Sequence, residues 1–169
     1  NRYVSNRTSS ADGAVELLDK HLDKSASIRR IEIIPAGLNS DASLSVSTSF
    51  SIKVKVEVRE ADQELAVFLH CHDENQNRVF STGSFFSQQL KNLKLSAGMH
   101  EFECQIPGHL LNNGEYSLDV MIVRDRSEVI LTESSVMSFQ IHDEPLGIEG
   151  WNWSALGVIR PQLNWRHQG

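Results

Sequence analysis

Phe50-Ser-Ile-Lys-Val-Lys-Val-Glu-Val58 decides the fold class. Phe50, Ile52, Val54, Val56 and Val58 alternate with Ser51, Lys53, Lys55 and Glu57. A period of two puts every apolar side chain on one face and every polar one on the other, which describes a strand half buried in a sheet. The same period recurs on both sides of this stretch. Upstream, Ile31 and Ile33 alternate with Arg30, Glu32 and Ile34; downstream, residues 64–73, 78–86, 99–106, 115–124 and 136–142 read as strands, with 130–132 as a further short edge piece. Turn residues separate them: 35–41 with Pro35 and Gly37, 74–77, and Asn112-Asn113-Gly114. No helical pattern of 10–15 residues intervenes, so a βαβ fold is excluded. The expectation is an all-β chain, an antiparallel immunoglobulin-like or jelly-roll β-sandwich of about seven or eight strands.

The ends differ from this middle. Residues 1–26 are expected to form a linker and a short amphipathic segment. Asp12 is placed to N-cap a helix whose apolar positions Val15, Leu18 and Leu22 fall at i, i+3 and i+7. Residues 27–143 form the sandwich. Residues 144–169 hold all three tryptophans, Trp151, Trp153 and Trp165, and a strand-like run from Gly157 that stops at Pro161.

At 169 residues the chain fits one domain, and its 40% apolar content suffices for a core. Lys plus Arg number 16 against 22 Asp plus Glu, a net charge of −6. That balance argues against nucleic acid or an anionic membrane surface as the main partner, since both reward a basic face. No apolar run approaches the ~20 residues of a membrane span. The chain opens on Asn1 without a signal-peptide pattern and is expected to be a fragment of something longer. Its two cysteines, Cys71 and Cys104, sit in strand alternations and read as small buried thiols. The alternative, in an oxidising compartment, is a disulfide bridging the sandwich.

Enzyme signatures are missing: there is no phosphate loop, no dinucleotide fingerprint, no nucleophile elbow and no C-x-x-C pair. One constellation bears on metal chemistry, His70-Cys71-His72-Asp73, because residues i and i+2 of a strand share a face. A cupin-like metal site would need a glutamate a few residues after the second histidine. Glu74 follows too closely and Gln76 occupies the ligand position, so neither metal nor cofactor is expected.

The same stretch has an unusual polar face. With Leu65, Val67, Leu69 and Cys71 turned inward, Ala66, Phe68, His70 and His72 point outward. On 115–124, Ser117, Asp119, Met121 and Val123 are left outside, and one face of 78–86 carries Arg78, Phe80, Thr82 and Ser84. Aromatic rings stack on the C–H faces of sugar rings, and polar groups bond their hydroxyls. Phe68, His70, His72, Phe80, Thr82, Asp119 and Met121 are therefore the candidate carbohydrate contacts. The competing reading is that a loop or a partner subunit covers this face, in a structural or oligomerising domain with no glycan ligand.

Several motifs together resemble a known family. They are Leu93-Lys-Leu-Ser-Ala-Gly98, Phe102-Glu-Cys-Gln-Ile-Pro107, Leu110-Leu-Asn-Asn-Gly114-Glu-Tyr116-Ser-Leu118 and Phe139-Gln-Ile141. Val67-Phe-Leu-His-Cys-His-Asp73, with Asn77-Arg-Val79, resembles the family's strand–turn–strand, Asn77 standing where glycine is usual. Arg2-Tyr3-Val4-Ser5 resembles its opening but lacks both glycines, and Gly157-Val-Ile-Arg-Pro161 with Trp165 resembles its ending. The chain looks like the C-terminal domain of the Wzt-type ATPase subunits of ABC transporters that export O-antigen polysaccharide. The resemblance implies a non-catalytic carbohydrate-binding sandwich that recognises the terminally modified end of a lipid-linked glycan. It also implies a cytoplasmic position peripheral to the inner membrane, an ATPase domain upstream that links it to the membrane transporter subunit, free cysteines, and a homodimer made by exchange of the C-terminal arm.

Overall fold

The computed structural model describes residues 7–9, 13–17, 25–37, 43–145 and 157–168. Among them are eleven strands: β1 (Arg7–Ser9), β2 (Ala14–Leu17), β3 (Ala26–Pro35), β4 (Leu44–Ser45), β5 (Phe50–Val58), β6 (Gln63–Asp73), β7 (Arg78–Gly83), β8 (Lys94–Leu95), β9 (Gly98–Ile106), β10 (Gly114–Arg124) and β11 (Glu128–His142). They form two sheets, one ordered β1-β2-β3-β5-β9 and the other β4-β11-β10-β6-β7, with β8 pairing the start of β6. Every pairing is antiparallel except β11 with β4. This is the expected all-β sandwich.

The inward faces of β3, β5, β6 and β10 supply the core. Ile31, Ile52, Val54, Val56, Leu118, Val120 and Ile122 are almost wholly enclosed, each worth roughly 1.5–3 kcal/mol of transfer free energy. Phe139 closes one end, edge-on to Phe50 and stacked on Tyr116, both at 5.5 Å between ring centres. The outer face of the first sheet is a carpet of ion pairs, such as Lys53–Glu101 at 3.1 Å and Arg29–Glu57 at 2.5 Å. Such solvated pairs contribute little each.

The turn motifs have identifiable work. Tyr116 is buried and donates its hydroxyl to Asn112 O at 2.9 Å, a tyrosine corner of the kind sandwiches use to fix the loop into an inner strand. Asp73 Oδ1 accepts the backbone N–H groups of Asn75 and Asn77, and its Oδ2 accepts Asn77 Nδ2. Those bonds, the Asn77 side chain foremost, hold the Asp73 carboxyl below its ordinary pKa. The left-handed residue of this turn is Gln76, at φ +63°, and Asn77 ties the turn to Asp73 with its side chain.

Four expectations need correction. The helix expected over 12–22 is a strand in its described part: Ala14 and Val15 pair with Glu32 and Ile31, and sheet burial overrides the helical spacing. Leu18 and Leu22 lie outside the described residues. Two strands thus fall inside the stretch expected as a linker. Residues 130–132 are no separate edge piece but belong to the continuous β11, which lies between β4 and β10. The run expected from Gly157 to Pro161 reduces to one bridge, Ile159 with Leu111. Trp151 and Trp153 lie outside the described residues. Both cysteines are free, Cys71 buried and Cys104 half-buried.

Candidate functional site

Directly opposed residues of an antiparallel pair share a face, so the register of β6 against β10 defines the site. Phe68 faces Met121, His70 faces Asp119, and His72 faces Ser117, all on the outer side. Cys71, Leu69 and Val67 face Leu118, Val120 and Ile122 on the core side. Five of the seven expected contacts, Phe68, His70, His72, Asp119 and Met121, are therefore brought together.

Phe80 and Thr82 are not among them. They oppose Cys71 and Leu69, which points both inward, and Phe80 packs against the core. The cause is an irregularity between Cys71 and His72, across which the pairing shifts so that His72 opposes Arg78. The one-residue slip reverses which side chains face out. Ser81 takes the outward place and contacts His70 Nδ1 at 2.7 Å. Met121, expected to be exposed, is only 8% exposed.

The rings form a ladder. Phe68 lies edge-on to His70 at 5.3 Å, and His70 edge-on to His72 at 6.1 Å. Beyond Phe68, a short 3-10 turn, Ser84–Phe86, adds Phe85 at 6.0 Å and Phe86 at 5.9 Å. Gly83 opposes Phe68, and a Cβ there would stand 2.6 Å from the Phe68 ring, so glycine is what lets the ring lie flat on β7. Phe85 and Phe86 were missed because the alternation of 78–86 reads as unbroken strand. The Gly83-Ser84 pair was the available sign that it ends.

Polar groups flank the ladder. Asp119 Oδ1 accepts the backbone N–H of Ser135 at 2.7 Å, and its Oδ2 stands 3.8 Å from His72 Nδ1. Ser135 has φ +44° in a bulge of β11, where the register with β10 shifts between Leu118 and Val120. Asp119 thus both holds the bulge and presents a carboxylate. Ser117 Oγ is buried with no hydrogen-bond partner among the described residues. Burial, followed by the positive charge of Arg78, lowers the pKa of His70. The neutral imidazole so favoured has one donor and one acceptor, the complement of a hydroxyl. Asp73 does not join the histidines, because its oxygens are engaged in the β6–β7 turn. Among the described residues no group of three His, Cys, Asp or Glu is placed to hold a metal ion.

The C-terminal segment meets the tyrosine corner. Asn112 N–H donates to Val158 O at 2.9 Å, Asn112 Nδ2 to Gly157 O at 2.6 Å, and Tyr116 Oη reaches Val158 O at 3.1 Å. Arg160 is tied to Asp143 Oδ1 at 2.7 Å and to Glu144 O at 3.0 Å. Beyond it Leu163 and Trp165 are exposed, the indole by 92%.

The sequence profile of the Wzt C-terminal domain matches residues 20–152. The chain belongs to that family. The crystal structure of the C-terminal domain of Wzt superposes with a TM-score of 0.70 at 17% identity, covering 86% of each chain, which shows the fold. A β-glucuronidase of Parabacteroides merdae superposes with a TM-score of only 0.42, over 69% of this chain and 13% of its own. No curated protein sequence matches. Membership in the Wzt family ties this domain to the Wzt ABC transporter system. No helix among the described residues is long and apolar enough to cross a membrane.

Proposed function

We propose that this domain binds a polysaccharide on the outer face of β7, β6, β10 and β11, and that the ligand is the terminally modified end of a lipid-linked O-antigen awaiting export. The domain performs no chemistry of its own. It acts on the cytoplasmic side of the inner membrane, joined through an upstream ATPase domain to the transporter. The observation that carries this reading is the ladder Phe86, Phe68, His70, His72 with Asp119 and Ser81 beside it. Rings offer stacking platforms to the C–H faces of sugars, while a carboxylate, the Ser81 hydroxyl and a neutral imidazole serve the sugar hydroxyls. Met121 supplies apolar floor rather than contact. The same reading includes a homodimer in which residues 157–168 pair with the Leu110–Asn112 stretch of a second copy, favoured by the exposure of Leu163 and Trp165.

Isothermal titration of the chain with O-polysaccharide from its own host, with and without the terminal cap, tests the proposal. Capped polysaccharide should bind, and His70→Ala should weaken binding by roughly 1–3 kcal/mol without changing the urea midpoint. Absence of binding, or full affinity in the variant, refutes it.

A further inference from the structure

We infer that the cleft between the two sheets, where the β9 and β7 edges face each other, is a second subsite for the same glycan and takes an uncharged sugar residue. This rests on the reading above, which supplies the glycan, but it concerns a different surface.

The cleft exists because β7 stops at Gly83 while β6 runs back to Gln63. Between β7 and β8 the sandwich is flanked by the loop after Gly83 instead of by a strand, and a cavity of about 510 Å³ opens there. That volume falls within the roughly 300–1,000 Å³ of small-molecule sites. Its floor is apolar, from Val54, Leu69, Phe102 and Cys104. Thr82, Ser84 and Gln89 stand on the β7 side, and Glu103 and Gln105 on the β9 side. The pairings of β9 among the described residues are all with β5, so its other edge offers backbone donors and acceptors to a ligand.

Three features choose the occupant. Phe86, 62% exposed, lines the cleft and also touches the ladder through Phe68, so the stacking surface turns the corner of β7 and continues inward. Phe102 offers a second ring inside. Among the described residues no Lys, Arg or His lines the cleft, which disfavours a phosphate or an acidic sugar. A fatty acyl chain would strip water from Thr82, Ser84 and Gln89 without returning a hydrogen bond. A neutral sugar satisfies both the rings and the polar wall. Thr82, a candidate contact by sequence, thus belongs to this subsite and not to the outer face.

Cys104 is a built-in reporter, half-buried in the cleft, while Cys71 is enclosed in the core. The chain is treated with N-ethylmaleimide at mildly alkaline pH, alone and with saturating host O-polysaccharide. Labelling at each cysteine is followed by mass spectrometry and binding by titration of the same samples. The expected result is binding together with Cys104 labelling slowed several-fold, Cys71 staying unlabelled throughout. Thr82→Val should in addition lower affinity about fivefold, the scale of one lost hydrogen bond, at unchanged stability. Binding with an unchanged Cys104 rate, or an unaffected Thr82→Val, overturns the subsite and leaves the outer-face reading standing. Protection by decanoate but not by polysaccharide assigns the cleft to an acyl chain and also overturns it. Protection that survives in a His70→Ala, Asp119→Asn chain whose affinity is undiminished supports the cleft and removes the outer face. Absence of any binding defeats both.

Discussion

Asp119 separates a contact made for the fold from one made for the ligand. Its Oδ1 takes the N–H of Ser135 at 2.7 Å, and Ser135 sits at φ +44°, a left-handed conformation that a serine adopts only at a cost of about 1–2 kcal/mol. A hydrogen bond to a charged acceptor contributes about 1.5–3 kcal/mol, less where water reaches it, and this side chain is 20% exposed. Asp119→Ala removes the acceptor and lets the bulge relax, so the expected loss of stability is about 1–2 kcal/mol. For a chain of this size that lowers Tm by roughly 3–8 °C. Asp119→Asn keeps an oxygen for Ser135 and should lose about half as much. Binding should order the variants differently: both lack the carboxylate, so both should lose about tenfold in affinity, near 1.4 kcal/mol. Urea unfolding gives the first ordering and calorimetric titration with host polysaccharide the second. If Asn and Ala variants are equally stable, the Ser135 bond contributes nothing. If Asp119→Asn binds like the parent, the carboxylate is no ligand contact.

Gly108→Ala should be severely destabilising, by about 3 kcal/mol in urea unfolding, because its Cβ would lie 2.1 Å from the Ser47 carbonyl oxygen and would separate loops joined by His109 N–H to Val46 O; a midpoint like the parent's would show that the loops move freely. Asp73 has its folded pKa depressed, so its contribution is fully present above the ordinary carboxylate range near 4 and is lost as pH falls through the folded value. Unfolding between about pH 3 and 7 should therefore show a shallower acid limb in Asp73→Asn than in the parent, and parallel curves would count against the turn assignment. Removing residues 157–168 should convert a dimer into a monomer or an aggregating species by light scattering, whereas an intact chain that is monomeric at micromolar concentration rules out arm exchange.

How much of this was legible in the sequence depended on which forces acted locally. The strands of the core were, because alternation over β5, β6 and β10 records a face buried against another sheet. The short edge strands were not. The four residues of β2 are too few to establish a period, and Ile31 and Arg30, the partners of Val15 and Glu16, are remote in sequence. Continuity was hidden where a bulge interrupts it. The Ser134-Ser135 pair, sitting between Ile130–Thr132 and Val136–His142, resembles a turn, yet Asp119 from the neighbouring strand holds it as a bulge within one strand.

The same physics divides the site. On β6 and β10 the register is regular from Leu65 to Asp73, so side-chain parity read from sequence survived, and five candidates share a face. On β7 it did not, because a single irregularity after Cys71 inverts parity for everything paired beyond it, and nothing in the composition of Arg78–Gly83 marks the slip. The inversion has a use. It turns Phe80 into the core, sets Ser81 against His70, and leaves Thr82 at the mouth of the inter-sheet cleft. Gly83 then lets Phe68 lie across the strand end, and Phe85 and Phe86 close over it. Deleting Val79, the residue left without an opposite at the irregularity, should therefore regularise the strand and keep Ser81 opposite His70 and Gly83 opposite Phe68. Deleting Ser81 instead, with Gly83 held on Phe68, would bring Phe80 out of the core to face His70 and remove that ring's hydroxyl partner, so it should cost both stability and the outer face.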